Sequence, residues 1–520
     1  MGPRPLSYTG VERIVKASCR STVLLALAAT VLAAQNLSEF EKKVKEFTLA
    51  NGLHFIVVER HEAPVVSFHT YVAAGSIDDP AGETGLAHMF EHMAFKGTET
   101  IGTRNWPDEK AAMQEVEALY DQLEAERNKG PKADSGRINL LENKLKLAID
   151  HAQSYVRPNE YSRIIEQNGG VGLNASTGLA ATEYFYSLPS NRLELWFLME
   201  SQRFLHPVFR EFYKERDVVA EEHRMRVESN PQGMLLQTFL AAAFEAFPYR
   251  NPPGGWASDI ANLRRVEAED FFATYYVPGN MSMAIVGDVD PQQAQRLAEH
   301  YFGPMPARPL PRAIHTQEPP QPGPVNATVN SATQPLLFIG YKRPDQYDRD
   351  DPAFDVLAVI LSSGRTSVLY RELVEQKKLA LAAQAIATYP NGRYPNLFVF
   401  FLAPALGHTV EESRTALGEL LTRFAAKPVD ERTLARAKTK LRAQVIRQLD
   451  NNPGLASVLN TFYANYGDWR KLFHAVDEYN QVTAGDVQRL ANTYFVTKNR
   501  TTCFTVAASS AQAAASGDRP

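Results

Sequence analysis

The chain has 520 residues, 44% hydrophobic and 22% charged, with a formal net charge of −4. That length allows more than one domain. The near balance of charge gives no footing for nucleic acid or an acidic surface, and leaves a peptide ligand open.

Arg4, Arg13, Lys16 and Arg20 precede an uncharged run from Ser21 to Ala34 that ends Leu32-Ala33-Ala34. A basic start, a short apolar run and small residues at its end read as an export signal over residues 1–34, so the chain is expected to be periplasmic or secreted. The competing reading is a retained anchor, which needs ~20 apolar residues, more than this run supplies. Cys19 lies before the apolar run, where a lipid-bearing cysteine would follow it. Once the signal is removed only Cys503 remains, so an intrachain disulfide and a thiolate metal site are both excluded. No other segment is long and apolar enough to span a bilayer.

Phe47 and Leu49, then Leu53, Phe55 and Val57, flank Asn51-Gly52 and predict a β-hairpin. A strand is expected over Val65–Ala74, a polar loop over Ser76–Thr84 and a helix over Gly85–Phe95. Hairpins without strict β-α-β alternation point to an α+β fold. Over 107–156, Met113, Val116, Leu119, Tyr120 and Leu123, then Ile138, Leu141, Leu145, Ile149 and Ala152, recur at helical spacing around Gly130-Pro131. Their charged outer faces predict a helical hairpin projecting from the body, in preference to a core helix pair.

Eight prolines between Pro304 and Pro324 mark a stiff connection, taken as 304–327. The two sides resemble each other. Thr274-Tyr275-Tyr276-Val277-Pro278-Gly279-Asn280 returns as Thr493-Tyr494-Phe495-Val496-Thr497-Lys498-Asn499, Glu215-Arg216 as Glu431-Arg432, and Asn230-Pro231 as Asn452-Pro453. The offsets are 219, 216 and 222 (493 − 274, 431 − 215, 452 − 230), which implies an internal duplication.

His88 and His92, four apart on the expected helix, leave one face, and Glu91 shares it. Two neutral imidazoles suit zinc, and a carboxylate beside them can take a proton from activated water. The order H-x-x-E-H is the inverted zinc-peptidase motif. The bland alternative is a pair of helix histidines that are solvated or satisfied in a core. On the expected helix Glu211–Val227, Glu222 falls on an apolar stripe of Val218, Val219 and Met225, where a bare carboxylate would need a cation. Glu221 lies about 100° around and meets solvent. Glu215, seven before Glu222, returns to its face and either receives an imidazole N–H or pairs with an arginine.

The run Gly85-Leu86-Ala87-His88-Met89-Phe90-Glu91-His92-Met93-Ala94-Phe95-Lys96-Gly97-Thr98 resembles the metal helix of the insulinase/pitrilysin family of zinc peptidases, M16, and most of all its processing-peptidase branch. Asn51-Gly52-Leu53, Ala74-Gly75-Ser76, Asn174-Ala175 with Thr182, and Gly287-Asp288-Val289 resemble it too, and the likeness runs from Val44 to Val506. It implies one zinc ion held by His88, His92 and Glu222, Glu91 as general base, Glu215 as a supporting carboxylate, and Asn174 and Ala175 on an edge strand that pairs with substrate. It also implies two homologous α+β domains, each an antiparallel-rich sheet packed with helices: residues 44–303 with metal and the 107–156 insertion, and 328–506 without. Residues 507–520 are expected to be a flexible tail.

The departures are informative. The interval from His92 to Glu222 is longer than in typical members, and the insertion accounts for the excess. Lys438 stands where the repeat would place Glu222 (431 + 7), and the second half has no histidine pair. Where that family's complete sites take an Arg and, seven later, a Tyr, this chain has Val374 and Leu381, with Tyr370 and Arg371 off register. The resemblance is therefore to the metal-bearing subunit of a two-chain endopeptidase acting on peptides or unfolded segments, with a homologous partner chain. A catalytically silent structural or binding subunit is the alternative.

Overall fold

The computed structural model of the chain describes residues 40–331 and 335–506, so the stretch read as an export signal and the tail lie outside the described residues. The first sheet has the order β1-β2-β6-β3-β5-β4. It comprises β1 (Val44–Thr48), β2 (His54–Glu59), β3 (Val65–Val72), β4 (Val171–Thr177), β5 (Thr182–Pro189) and β6 (Met281–Gly287). β1 and β2 form the expected hairpin, Val44 opposite Val58 and Thr48 opposite His54. Its turn is built from Asn51, whose side chain accepts from Leu53 N and donates to the carbonyls of Phe302 and Met305, and from Gly52 at φ 98°.

Helices used below are α1 (Leu86–Met93), α2 (Trp106–Arg127), α3 (Ser135–Gln153), α4 (Phe212–His223), α5 (Pro231–Ala243), α6 (Arg265–Tyr275), α7 (Asp351–Ser362), α8 (Asn452–Tyr466) and α9 (Ala484–Tyr494). The second sheet has the order β7-β11-β8-β10-β9, from β7 (Val325–Asn330), β8 (Leu337–Arg343), β9 (Ala380–Tyr389), β10 (Asn396–Pro404) and β11 (Arg500–Val506). It repeats β2-β6-β3-β5-β4 strand for strand, including the parallel pair, β2 with β6 and β7 with β11. The chain is thus a mixed α/β molecule of two like units. The repeated heptapeptides do the same work in both. Each ends a helix, α6 or α9, and starts the central strand. Asn280 donates to Tyr275 O and Ala73 O, and Asn499 donates to Tyr494 O and Lys342 O, tying helix end to neighbouring strand. β7 begins at Val325, inside the stretch read as the connection.

The units exchange helices. α5, from the first, packs Leu235, Phe239, Leu240 and Ala243 against Phe338, Leu397, Val399 and the buried, free Cys503 of the second sheet. A side chain at Gly340 would come 2.6 Å from the Phe239 ring. α8, from the second unit, sets Leu455, Ala456 and Leu459 on Ile56, Val58, Ala284 and Val286 of the first sheet. Its buried Asn460 donates to His69 O and Ser282 O. Both helices begin at the repeated Asn-Pro pairs.

The helical hairpin is present: its base packs on the body, while around its tip Arg127 pairs with Glu142 and Glu126 with Lys129 and Arg137, all within the hairpin. Val116, Tyr120 and Ala148 join the first core. Glu109 is fully buried against Arg210, with Nε 2.7 Å from Oε1. Glu117 receives Tyr213 Oη and Arg265, and Arg216 donates to Tyr120 Oη. Glu109 and Glu117, which looked solvated in sequence, are partners of Arg210 just before α4 and of Arg265 on α6, contacts that helical periodicity does not encode.

In the Pro-rich segment, Glu318 receives the backbone N–H groups of Glu245, Ala246 and Phe247 just beyond α5, and Lys342 from β8. Burial alone would raise its pKa, but these donors hold it below the ordinary 4.5. A carboxylate depressed in this way stabilises the fold in full above pH 4.5 and loses that contribution as acid protonates it. Glu318→Gln should therefore cost about 1–3 kcal/mol at neutral pH. The gap from the parent in urea unfolding should close as pH falls below 4.5, and a gap independent of pH would contradict this account.

Candidate metal centre

α1 starts with no helix-forming signal except Gly85, which adopts φ 103° at its N-cap. The cap is supplied from outside the helix by Asp79, whose two oxygens accept from Gly85 N at 2.7 Å and Ala87 N at 2.9 Å. Burial pushes the Asp79 carboxyl up to about 8 against the pull of those amides. Gly254-Gly255 then passes across the helix start. Gly255 has φ 85°, and a side chain on it would meet Thr84 O at 2.4 Å. Thr84 Oγ1 donates to Asp259 and accepts from Trp256 N. Met89, Phe90 and Met93 bury one side of α1 and turn His88, Glu91 and His92 to the other.

α4 lies beside α1 and brings Glu222 to the histidines. His88 Nε2 is 3.7 Å from Glu222 Oε2, and His92 Nε2 is 3.9 Å from Oε1. One donor atom from each of the three lies within 4.8 Å of the others, and among the described residues no other such cluster occurs. The imidazole planes are nearly perpendicular, at 89°. Burial, helped by repulsion from His92, Arg226 and His223, lowers the pKa of His88 to about 4, leaving a neutral ring. Glu215 Oε2 lies 3.3 Å from His92 Nδ1. Burial would raise the Glu215 pKa, but His92 and Lys96 bring it to about 2, so this carboxylate can only accept. Nδ1 of His92 therefore donates, which directs Nε2 toward Glu222.

The stripe that singled out Glu222 is not the one in the structure. Val218 is 40% and Met225 57% exposed, whereas Phe212, Tyr213, Val219 and His223 are buried. Met225, seven after Val218, shares its exposed face, and Glu222 stands at the edge of the buried one; the backbone widens to a π-helix only beyond it, over Arg224–Glu228. Glu221 is exposed beside Arg224, as its phase on the helix indicated.

Glu91 is half-buried, and burial raises its pKa against a hydrogen bond from Thr177. Thr177 ends β4, the last strand of its sheet, so an unpaired edge runs beside Glu91. On that strand Asn174 is exposed and Ala175 is buried, opposite Phe185 and Tyr184. The second unit has no equivalent centre among the described residues. Lys438 donates to Asn480 O, Val374 packs on the second core, and Leu381 is 62% exposed on β9.

The residues fit a zinc ion. Glu222 Oε2 is buried with no hydrogen bond, faces His88 Nε2 at 3.7 Å, and forms an ion pair with Arg226 Nη2 at 3.2 Å. The donors are two imidazoles and one carboxylate, the set zinc takes, with their atoms within 4.8 Å of one another against ~3.3 Å between ligands of tetrahedral zinc.

Fold and site together define a metallopeptidase-like protein of two like units with one candidate metal centre among the described residues. Comparison with known sequences gives the family. The profile "Insulinase (Peptidase family M16)" matches residues 55–123 and 133–254, and "Peptidase M16 inactive domain" matches 262–441. The chain belongs to peptidase family M16, whose named relatives are zinc proteases. It is 26% identical over 509 residues to the zinc protease PqqE of Helicobacter pylori, covering 96% of this chain and 99% of that one. A solved protease structure from Helicobacter pylori superposes with a TM-score of 0.73 at 26% identity, over 89% of this chain and 99% of that one. The first half of the periplasmic protease PqqL from Escherichia coli gives 0.66 at 17% identity, over 91% and 93%.

Asp79, Glu211, Lys96 and the Gly254-Gly255 crossing were not found from sequence. Lys96 lay within the motif run, and Gly-Gly beside Pro252-Pro253 was the one available signal of a tight crossing. Asp79→Ala should lower stability by about 0.5–2 kcal/mol through loss of the cap. Urea unfolding of the metal-free chain measures it, and an unchanged midpoint would mean that α1 is held by packing alone.

Proposed function

We propose that the chain is a zinc-dependent endopeptidase acting on peptides or unfolded segments, exported to a periplasm or to the outside of the cell. One observation carries the reading: Glu91 stands between the three donor groups and the open edge of β4. His88, His92 and Glu222 are the proposed ligands, and Glu215 fixes the tautomer of His92. Bound zinc would supply Lewis acidity toward water and a peptide carbonyl. Glu91, its pKa raised by burial, accepts the proton from water and returns it to the leaving amine. An extended substrate adds to β4 beside Asn174 and Ala175 through backbone hydrogen bonds. Residues 1–34 are the proposed signal, in keeping with the periplasmic naming of PqqL.

Glu91→Gln should retain zinc, because the side chain is not among the three donors, and should lose about 10²–10⁴ in turnover of a quenched peptide. Loss of zinc together with activity would make Glu91 structural. Absence of zinc and of hydrolysis in the parent would favour a silent binding subunit.

The proposal extends to a homologous partner chain. Val374 is packed into the second core and Leu381 points to solvent, and neither can hydrogen-bond a peptide carbonyl. The match to PqqL occupies 48% of that whole chain, in keeping with a larger assembly of such units. Missing donors of this kind typically cost ~10²–10³ in rate, so the isolated, zinc-loaded chain should be slower than the reconstituted pair by about that factor. Equal turnover would end the two-chain reading and direct attention to Tyr370 and Arg371.

A further inference from the structure

We infer that the inserted helix pair α2–α3 supports the metal centre, with Glu211 as the positioning residue that carries its grip to His92. The inference rests on the zinc reading above and adds to it a role for the insertion.

The two ends of the insertion meet two adjacent residues at the start of α4. Near the beginning of α2, Glu109 binds Arg210, which is 1% exposed. The same guanidinium donates to the carbonyls of Lys96, Thr98 and Ile101 and so clamps the loop that leaves α1. At the end of α3, Gln153 Nε2 donates to Glu211 Oε1 at 3.2 Å. The other oxygen of Glu211 receives Lys96 Nζ at 3.2 Å. Lys96 also donates to Glu215 Oε1, and Glu215 holds Nδ1 of His92. A continuous path of polar contacts thus runs Gln153, Glu211, Lys96, Glu215, His92.

Glu211 sits in the left-handed region, φ 56°, at the N-cap of the helix that bears both Glu215 and Glu222. A non-glycine residue keeps that conformation only when its surroundings over-determine it. Here three donors do so: Gln153, Lys96 and Lys214. The side chain is only 6% exposed. Residues that orient a ligand histidine from outside commonly change metal affinity by about 10–100-fold when lost.

Glu211→Gly separates positioning from folding, because glycine accepts this backbone while removing the carboxylate. Zinc affinity of the full chain is measured by competition with a chromophoric chelator, alongside the thermal midpoint of the metal-free protein. The expected result is affinity weakened about tenfold or more, in a variant that still folds with a midpoint lowered by the loss of the acceptor shared by Gln153, Lys96 and Lys214. Gln153→Ala should weaken zinc in the same direction by a smaller factor. It should add nothing in the Glu211→Gly background, since its acceptor is gone. If Glu211→Gly does not fold, Gln153→Ala alone decides. Zinc binding within about twofold of the parent in the folded variants overturns this inference and leaves the zinc reading intact. A parent that binds no zinc overturns the zinc reading, and this inference with it.

Discussion

Everything at the centre depends on keeping two imidazoles and a carboxylate together in a partly dehydrated place where they do not satisfy one another. Glu222 Oε2 stands 3.7 Å from His88 Nε2, its charge met by Arg226, and is buried with no hydrogen bond. A group left this way costs on the order of 1–3 kcal/mol, more for a charge. Left to itself such a cluster would rotate apart or admit water. The fold prevents this from both helices. Asp79 and the glycine crossing fix the start of α1, and the Arg210 clamp fixes the loop after it. Lys96 and Glu215 set the height of His92, and α4 is rooted at a strained residue that its neighbours hold in place. The site is stabilised by its surroundings so that its donors can remain available.

The parts legible in the sequence were those governed by short-range periodicity. The spacing of His88 and His92 placed both rings on one face, and the structure buries Met89, Phe90 and Met93 on the other. The Asn51-Gly52 turn and the repeated heptapeptides were equally readable, since each encodes a local backbone shape. Glu222 was reached by a stripe that the structure does not contain. Val218 and Met225, seven apart, share an exposed face, so apolar residue type was a false guide to which side is inside. Glu215 was correctly placed on the face of Glu222, but its partners, one histidine and one lysine, are 123 and 119 residues away. The charge partners at the base of α2–α3 were not legible for a similar reason: a charge facing solvent and a charge facing a partner charge have the same helical phase.

The two units show how one scaffold separates its roles. α7 follows β8 in the second unit as α1 follows β3 in the first. Its positions are filled by Phe354, Val356, Leu357, Ile360 and Leu361, all buried. Where the first unit gives up apolar burial for a histidine pair, the second retains it, and Lys438 takes a backbone carbonyl in place of a metal-facing carboxylate. The second unit's largest contribution to the first is α8, which covers the face of the sheet away from α1.

That exchanged helix has a consequence for biogenesis. The first sheet is complete when β6 emerges, but the helix that covers its outer face begins 165 residues later (452 − 287). At ~5–20 residues per second the ribosome takes roughly 8–30 s to deliver it. Through that interval Ile56, Val58, Ala284 and Val286 form a naked apolar surface, the kind that recruits chaperones or aggregates. A chain held unfolded until α8 has been made escapes much of that exposure, and its first unit is finished only when that helix arrives.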